Sequence, residues 1–234
     1  LSLTMLIRKL LEVPGNYRIR LSSMEPHQEN HGILSLMQED RRICRFLHIP
    51  IQHASDSVLQ RMNRRYRTSE FLKFANEAQT KIDGIHLGTD FITGFPGETD
   101  KDFNDALSVL KEIGFANMHV FTFSPREGTP AAKFADKIPT SVAKERHKIL
   151  TDLKKEMTLN FISAQIEKNL IVLPESIKTA IASGYTDNYI KIKLNTKDKS
   201  FAAGEFLDCK AGLILPDLSI KGELIEKFDY QNDK

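Results

Sequence analysis

Few side chains in this 234-residue sequence have the types and spacing that chemistry demands, and most follow short apolar runs. Ser22, Ser23 and Glu25 come after YRIRL (17–21), Gln52 and His53 close RFLHIPIQH (45–53), and Ser124 and Arg126 follow ANMHVFTF (116–123). Hydroxyls, a carboxamide, a carboxylate and a guanidinium are groups that hold a polar ligand through hydrogen bonds. The loop TGFPGET (93–99) adds two glycines that let backbone approach a ligand and a proline that stiffens the turn. A helix starts just after it, so its free N–H groups are expected to receive an anionic or polar group. Arg61, Arg64, Arg65 and Arg67 cluster around Tyr66 and suit phosphate or RNA backbone, with a solvated helix end as the plain alternative. Tyr185 and Tyr189 flank Asn188 in GYTDNY, read as a loop whose rings offer a stacking edge.

Other candidates are weaker. His27 and His31 lie one helical turn apart and would share a face, but no third ligand accompanies them, so a solvated pair is favoured over a metal site. Cys44 and Cys209, the only cysteines, fall in opposite halves of the chain and cannot hold an iron–sulfur cluster. HExxH, Walker A and dinucleotide-type glycine motifs are absent. Asp90 stands out because a buried, unpaired carboxylate in an apolar strand is costly. Asp90 and Glu98 as the acid and base of a cluster-free enzyme is the least supported reading.

Strands over 17–21, 45–52, 85–93 and 116–123, each followed by helix or loop, are the pattern of βα units and a parallel sheet. Helices are expected near residues 3–11, 28–39, from 55, over 69–81 and 101–113, and from Pro139 to about 166. Polar residues at the C-terminal ends of such strands would converge on one rim. Beyond residue 168 the texture changes to short β-rich pieces separated by Gly, Asn and Asp, which suits a small antiparallel barrel. The expected organisation is therefore α/β: a partial (βα) barrel over 1–167 followed by a small antiparallel β-barrel over 168–234.

The 41% apolar content and net charge of +2 exclude a chain disordered throughout. No apolar run reaches membrane-spanning length and no export signal opens the sequence, so with only two cysteines a reduced, cytoplasmic protein without a membrane partner is expected. Residues 168–234 hold ten lysines, ten acidic residues and no arginine, so bulk charge there does not attract nucleic acid.

Four stretches as a set, RIRLSSMEP (18–26), LHIPIQHASDSVLQRMNRRY (47–66), GTDFITGFPGETDKDF (88–103) and HVFTFSPREGTPAA (119–132), resemble the radical S-adenosylmethionine methylthiotransferases. The module from 168 onward is similar to the TRAM domain of that family, most clearly in GYTDNYIKIKL. The resemblance implies a partial (βα)₆ barrel with strands three to six present, S-adenosylmethionine and [4Fe-4S] clusters as cofactors, and tRNA, at a modified adenosine of the anticodon loop, as partner. It places Ser22, Glu25, Gln52, Thr93 and Gly94 beside S-adenosylmethionine. Phe123, Ser124 and Arg126 would face the substrate side, and Arg64, Arg65, Tyr185 and Tyr189 are the expected RNA contacts. The family's CxxxCxxC is missing, and Leu1 falls inside a helical pattern, so a catalytically inactive fragment of a longer enzyme is expected. RLSSMEP and MNRRYRT favour the branch acting on N6-threonylcarbamoyladenosine of tRNA. QHAS (52–55) resembles the branch that modifies an aspartate of a ribosomal protein, and a non-catalytic RNA-binding remnant is the remaining alternative. The residues name neither an electron donor nor a sulfur source.

Overall fold

The computed structural model describes residues 2–25, 31–178, 180–196 and 201–231. His27, the helix start expected at Gln28 and the side chain of His31 lie outside the described residues. Three parallel strands, β1 (Phe46–His48), β2 (His86–Thr93) and β3 (Asn117–Thr122), lie side by side in that order. The strand expected over 17–21 is reduced to one bridge, Ile19 to Ile43, although Met24 N–H still donates to the His48 carbonyl at 3.0 Å. This segment runs along the β1 edge without forming a regular ladder.

Helices α1 (Leu3–Leu11) and α2 (His31–Glu39) precede β1. Helices α3 (Asp56–Arg61) and α4 (Thr68–Lys81) connect β1 to β2, α5 (Asp100–Ile113) connects β2 to β3, and α6 (Thr140–Ser163) follows β3. Period-two alternation divides β2 between two faces. Leu87, Thr89, Phe91 and Thr93 point to the helices and are buried. Full burial of a side chain such as Phe91 contributes about 1.5–3 kcal/mol. Gly88, Asp90 and Ile92 alternate to the other face, which no helix among the described residues of the βα units covers.

Pro50 interrupts β1 because it has no N–H for the ladder. The Thr89 hydroxyl takes over there, donating to the Ile49 carbonyl at 2.8 Å and accepting from Ile51 N–H at 3.0 Å. The register then shifts by one residue, from His48 opposite Gly88 to Gln52 opposite Phe91, with Gln52 at φ 62°. This bulge aims Gln52 at the rim.

Five strands, β4 (Asn169–Lys178), β5 (Ile181–Thr186), β6 (Lys191–Asn195), β7 (Leu207–Ile214) and β8 (Ile220–Lys227), close into a barrel in the order β4-β5-β6-β8-β7. Two expectations are corrected here. The barrel is not wholly antiparallel, because β6 and β8 pair in parallel. Residues 184–186 of GYTDNY form the end of β5, with only the following residues turning into β6. Gly184 is required there, since a Cβ would lie 1.9 Å from the Leu173 carbonyl oxygen.

The β5–β6 turn docks the barrel against the N-terminal ends of β1 and β2. Asp187 receives a forked pair of hydrogen bonds from Arg45, whose Nη1 also donates to the Asp83 carbonyl at 2.8 Å. The fully buried Asn188 donates to the Gly84 carbonyl at 3.0 Å, and its own carbonyl lies 3.1 Å from His86 Nδ1. Among the described residues no helix is long and apolar enough to cross a membrane.

Candidate functional site

At the C-terminal ends of the three strands opens a cavity of about 830 Å³. Gln52 and Ile92 supply its floor from the sheet, and Phe121, Phe123 and Ser124 supply one wall from β3 and the loop after it. Arg61 from the end of α3, Arg64 from the turn after it and Arg126 from the loop after β3 also line it. Phe95 packs edge-on against Phe123, with ring centroids 5.1 Å apart, and against Phe134 at 6.1 Å. Phe121 is 51% exposed, an unusual state for a large aromatic ring on a sheet. A cavity with aromatic walls and guanidinium groups at its mouth suits a flat, polar, anionic ligand.

The loop expected to present free N–H groups is already satisfied from within. Glu98, with a side chain wholly shielded from solvent, accepts from Gly94 N–H and, at 3.1 Å, from Phe95 N–H. Arg146 of α6 completes the arrangement, lying 3.2 Å from the Glu98 carboxylate, donating to the Glu98 carbonyl at 3.1 Å and reaching Asp100 at 2.6 Å. The loop therefore owes its shape to an internal carboxylate that occupies the anion position. Gly94, at φ 75°, leaves room for α6, since a Cβ would stand 3.0 Å from Ala143 Cβ. Thr93 is buried on the helix side, 3.5 Å from Glu98. Neither Thr93 nor Gly94 lines the cavity.

His53 is also fully buried. Its Nδ1 accepts from Ser55 N–H at 3.0 Å, which leaves the proton of the neutral ring on Nε2, facing Glu98 at 3.8 Å. Asp90 and Glu98 occupy opposite faces of the sheet, so the acid–base pairing considered for them has no geometric basis. Asp90 is not the unpaired buried carboxylate expected either; it is 27% exposed and sits 3.3 Å from His48 Nε2.

The remaining candidates divide by location. Tyr66 is a core residue whose hydroxyl donates to the Ile51 carbonyl at 2.8 Å, so the arginines around it point in separate directions. Arg61 pairs with Asp136 at 3.1 Å, and Arg67 lies 3.8 Å from Asp56. Arg64 and Arg65 are exposed and carry no ion pair among the described residues, but only Arg64 reaches the cavity. Ser22 and Glu25 are exposed on the segment beside β1 and do not line it.

Tyr185 and Tyr189 are stacked, 4.7 Å between centroids and 16° between planes. The Arg20 guanidinium covers Tyr189 at 4.4 Å. Tyr189 also meets Phe46 at 5.3 Å and His86 at 6.4 Å, which puts the pair at the opposite end of the strands. His86 and Ile92 are separated by six residues of β2, about 20 Å. The two sets of expected substrate contacts therefore do not form one site.

The aromatic walls of the cavity escaped the sequence reading, apart from Phe123. The alternation His119, Phe121, Phe123 along one strand face carried the signal, but an apolar strand residue is more often core than cavity.

The described residues contain no group of three or more His, Cys, Asp or Glu side chains that would hold a metal ion. Cys44 and Cys209 are both buried, and burial pushes their thiols up to about 11 and about 12. Neither is poised to become the thiolate that an iron–sulfur cluster requires. A [4Fe-4S] cluster does not fit the residues present.

Comparison with known proteins is consistent across the chain. Residues 2–110 match the Radical SAM superfamily, whose members use S-adenosylmethionine and a [4Fe-4S] cluster. The Threonylcarbamoyladenosine tRNA methylthiotransferase MtaB of Thermotoga maritima is 33% identical over 231 residues, covering 94% of this chain and 53% of that protein. The tRNA-2-methylthio-N(6)-dimethylallyladenosine synthase of Endomicrobium trichonymphae is 34% identical over 187 residues, 80% of this chain and 45% of that protein. The chain thus spans about half the length of these curated relatives. Among solved structures, the coproporphyrinogen III oxidase HemN of Escherichia coli shares the fold, with a TM-score of 0.53 and 18% identity over 65% of this chain and 38% of that one. With the superfamily match over 2–110 and methylthiotransferase relatives aligned along nearly the whole sequence, the chain is similar to the radical SAM methylthiotransferases over most of its length.

Proposed function

We propose that this chain forms the cofactor- and nucleoside-binding part of a cytoplasmic tRNA methylthiotransferase, with N6-threonylcarbamoyladenosine in the anticodon loop as target. The observation that carries this reading is the rim cavity, in which the exposed Phe121, the half-buried Phe123 and two arginines without an ion pair among the described residues surround Gln52. Phe121 and Phe123 offer faces on which a base can stack, the usual way unpaired nucleotides are held. Arg64 and Arg126 flank the mouth and can neutralise phosphates on either side of the nucleotide. The carboxamide of Gln52, fixed by the bulge behind it, can both donate to and accept from a nucleoside edge. The choice of nucleoside follows the MtaB relative, which aligns with 94% of the chain.

S-adenosylmethionine, itself a nucleoside, suits the same cavity and would supply the methyl group. Gln52 is its strongest candidate contact; Ser22, Glu25, Thr93 and Gly94, the other expected contacts, lie outside the cavity lining. The residues present bind and position; they give no site for a cluster, so the reductive chemistry has no route through this chain alone. That same absence favours RNA binding without turnover as a second reading for the isolated chain. Residues 168–234, similar to a TRAM domain, would add a second contact for RNA through Tyr185 and Tyr189, with Arg65 of the α3–α4 connection as a separate candidate.

The test is fluorescence anisotropy with a labelled anticodon stem-loop carrying the modified adenosine. Arg64→Ala with Arg126→Ala is expected to weaken binding at least tenfold and to lower the dependence of log K on log salt by about two phosphate contacts. No binding by the unaltered chain at low salt would sink the proposal.

A further inference from the structure

The face of the sheet that the helices leave uncovered carries a polar group just beneath the cavity. Asp90 projects from the middle of β2, with His119 opposite it in the ladder to β3. His48, from β1, places Nε2 3.3 Å from Asp90 Oδ1. Its ring centroid lies 5.9 Å from that of His119, and His119 in turn lies 6.5 Å from Phe121, which lines the cavity. Gly88 makes this arrangement fit, because a Cβ there would stand 3.0 Å from His48 Nδ1. A smaller residue is needed at that position for the imidazole to lie across the sheet and reach the carboxylate.

An ionised carboxylate is acceptor-only and has room for several donors. His48 engages one oxygen of Asp90, and the other has no protein donor among the described residues. Ile92, on the cavity floor, is two residues further along β2 on the same face, about 7 Å away. That separation lies within the length of a nucleoside seated on Phe121. No metal-holding group is found among the described residues, so hydrogen bonding is the chemistry on offer.

We propose that Asp90 is a specificity-determining residue of the cavity, accepting a hydrogen bond from an N–H or O–H donor of the bound nucleoside, with His48 as its positioning residue. The inference rests on the nucleoside reading above and deepens it. The donor is either the exocyclic amine of the base or a ribose hydroxyl. Both present the same chemistry to the carboxylate, and analogues separate them.

The experiment is calorimetry on the full chain with adenosine, purine riboside (no exocyclic amine), 2′-deoxyadenosine and 3′-deoxyadenosine. Asp90→Asn should weaken adenosine roughly tenfold to a hundredfold, the range for a hydrogen bond to a charged group. The same substitution should leave unchanged the affinity for the one analogue that lacks the donor Asp90 reads. His48→Ala should weaken adenosine less, and His48→Gln, which keeps a donor, should recover part of the loss. Wild-type affinity for adenosine in Asp90→Asn overturns the proposal, and so does an equal loss for every analogue, which marks a structural role. If the unaltered chain binds adenosine and Phe121→Ala loses it while Asp90→Asn does not, this inference alone falls. If the unaltered chain binds no nucleoside, the reading of the cavity falls and takes the inference with it.

Discussion

Glu98 shows how a residue that looks catalytic in a sequence can be structural. Its carboxylate takes the N–H groups that the glycine loop would otherwise offer a ligand, and Arg146, from a helix more than forty residues away, balances its charge. Removing one partner of a buried pair leaves an uncompensated charge, at a cost of about 3–5 kcal/mol. Arg146→Ala should therefore shift the urea midpoint far below that of Arg146→Lys, which keeps the charge. Equal midpoints for the two variants would show that the charge is not what matters. The residue scale is also where sequence reading was weakest. The types of Gln52, Ser124 and Arg126 pointed to the rim, and all three line one cavity. Tyr66 looked like part of an RNA-facing cluster, yet its ring is core and only its hydroxyl finds a polar partner. An amphipathic side chain serves either purpose, and spacing alone does not tell which end is wet.

At the scale of elements the reading was more secure. The helices expected over 3–11 and 101–113 follow apolar stripes with clear stops, and the structure adds a capping box of Thr99 and Asp102 at the start of α5. Irregular pieces resisted. The stretch 17–21 alternates like a strand, but alternation reports only that a segment is half-buried, and this one makes a single bridge. GYTDNY reads as a loop because Gly, Asp and Asn dominate it. The glycine is instead there so that β5 can cross close to the β4 bulge between Pro174 and Ser176. Gly184→Ala should therefore disrupt the barrel, lowering its stability by several kcal/mol because the obstacle is backbone, which cannot rotate away. Hydrogen exchange would show the loss first at β4 and β5 amides. Unchanged protection there would mean that the strands can separate without penalty.

For the whole molecule, the important contact is the seam between sheet and barrel, which sequence could not reveal because its partners are far apart in the chain. Arg45 and Asp187 are separated by 142 positions and meet in a forked pair. Burial opposes the charge on Asp187, but the Arg45 guanidinium outweighs it and holds the carboxyl below its usual range. Beside them, burial pushes the imidazole of His86 down to about 4, against about 6.5 for a free side chain. Between those values the unfolded chain takes up a proton that the folded chain refuses, so stability falls as pH drops through that window. The loss from pH 7 to pH 4 should approach about 3 kcal/mol, and it should be largely absent in His86→Phe, provided that variant folds at pH 7. Urea titrations at pH 7 and 4 measure it. An identical pH slope in both proteins would remove His86 as the cause.

Docking the barrel at the N-terminal ends of the strands also sets a length. The rim cavity and the stacked tyrosines are held about 20 Å apart by a segment of β2 that is hydrogen-bonded on both sides, so the spacing is as stiff as the sheet. A nucleic acid strand rising about 3.4 Å per nucleotide covers that span in about six stacked nucleotides. The sheet is in this sense a ruler. Under the proposed RNA reading, a strand shorter than its span would touch Arg64 or Tyr189 but not both, and a longer one would meet both at a separation that the protein, not the RNA, decides.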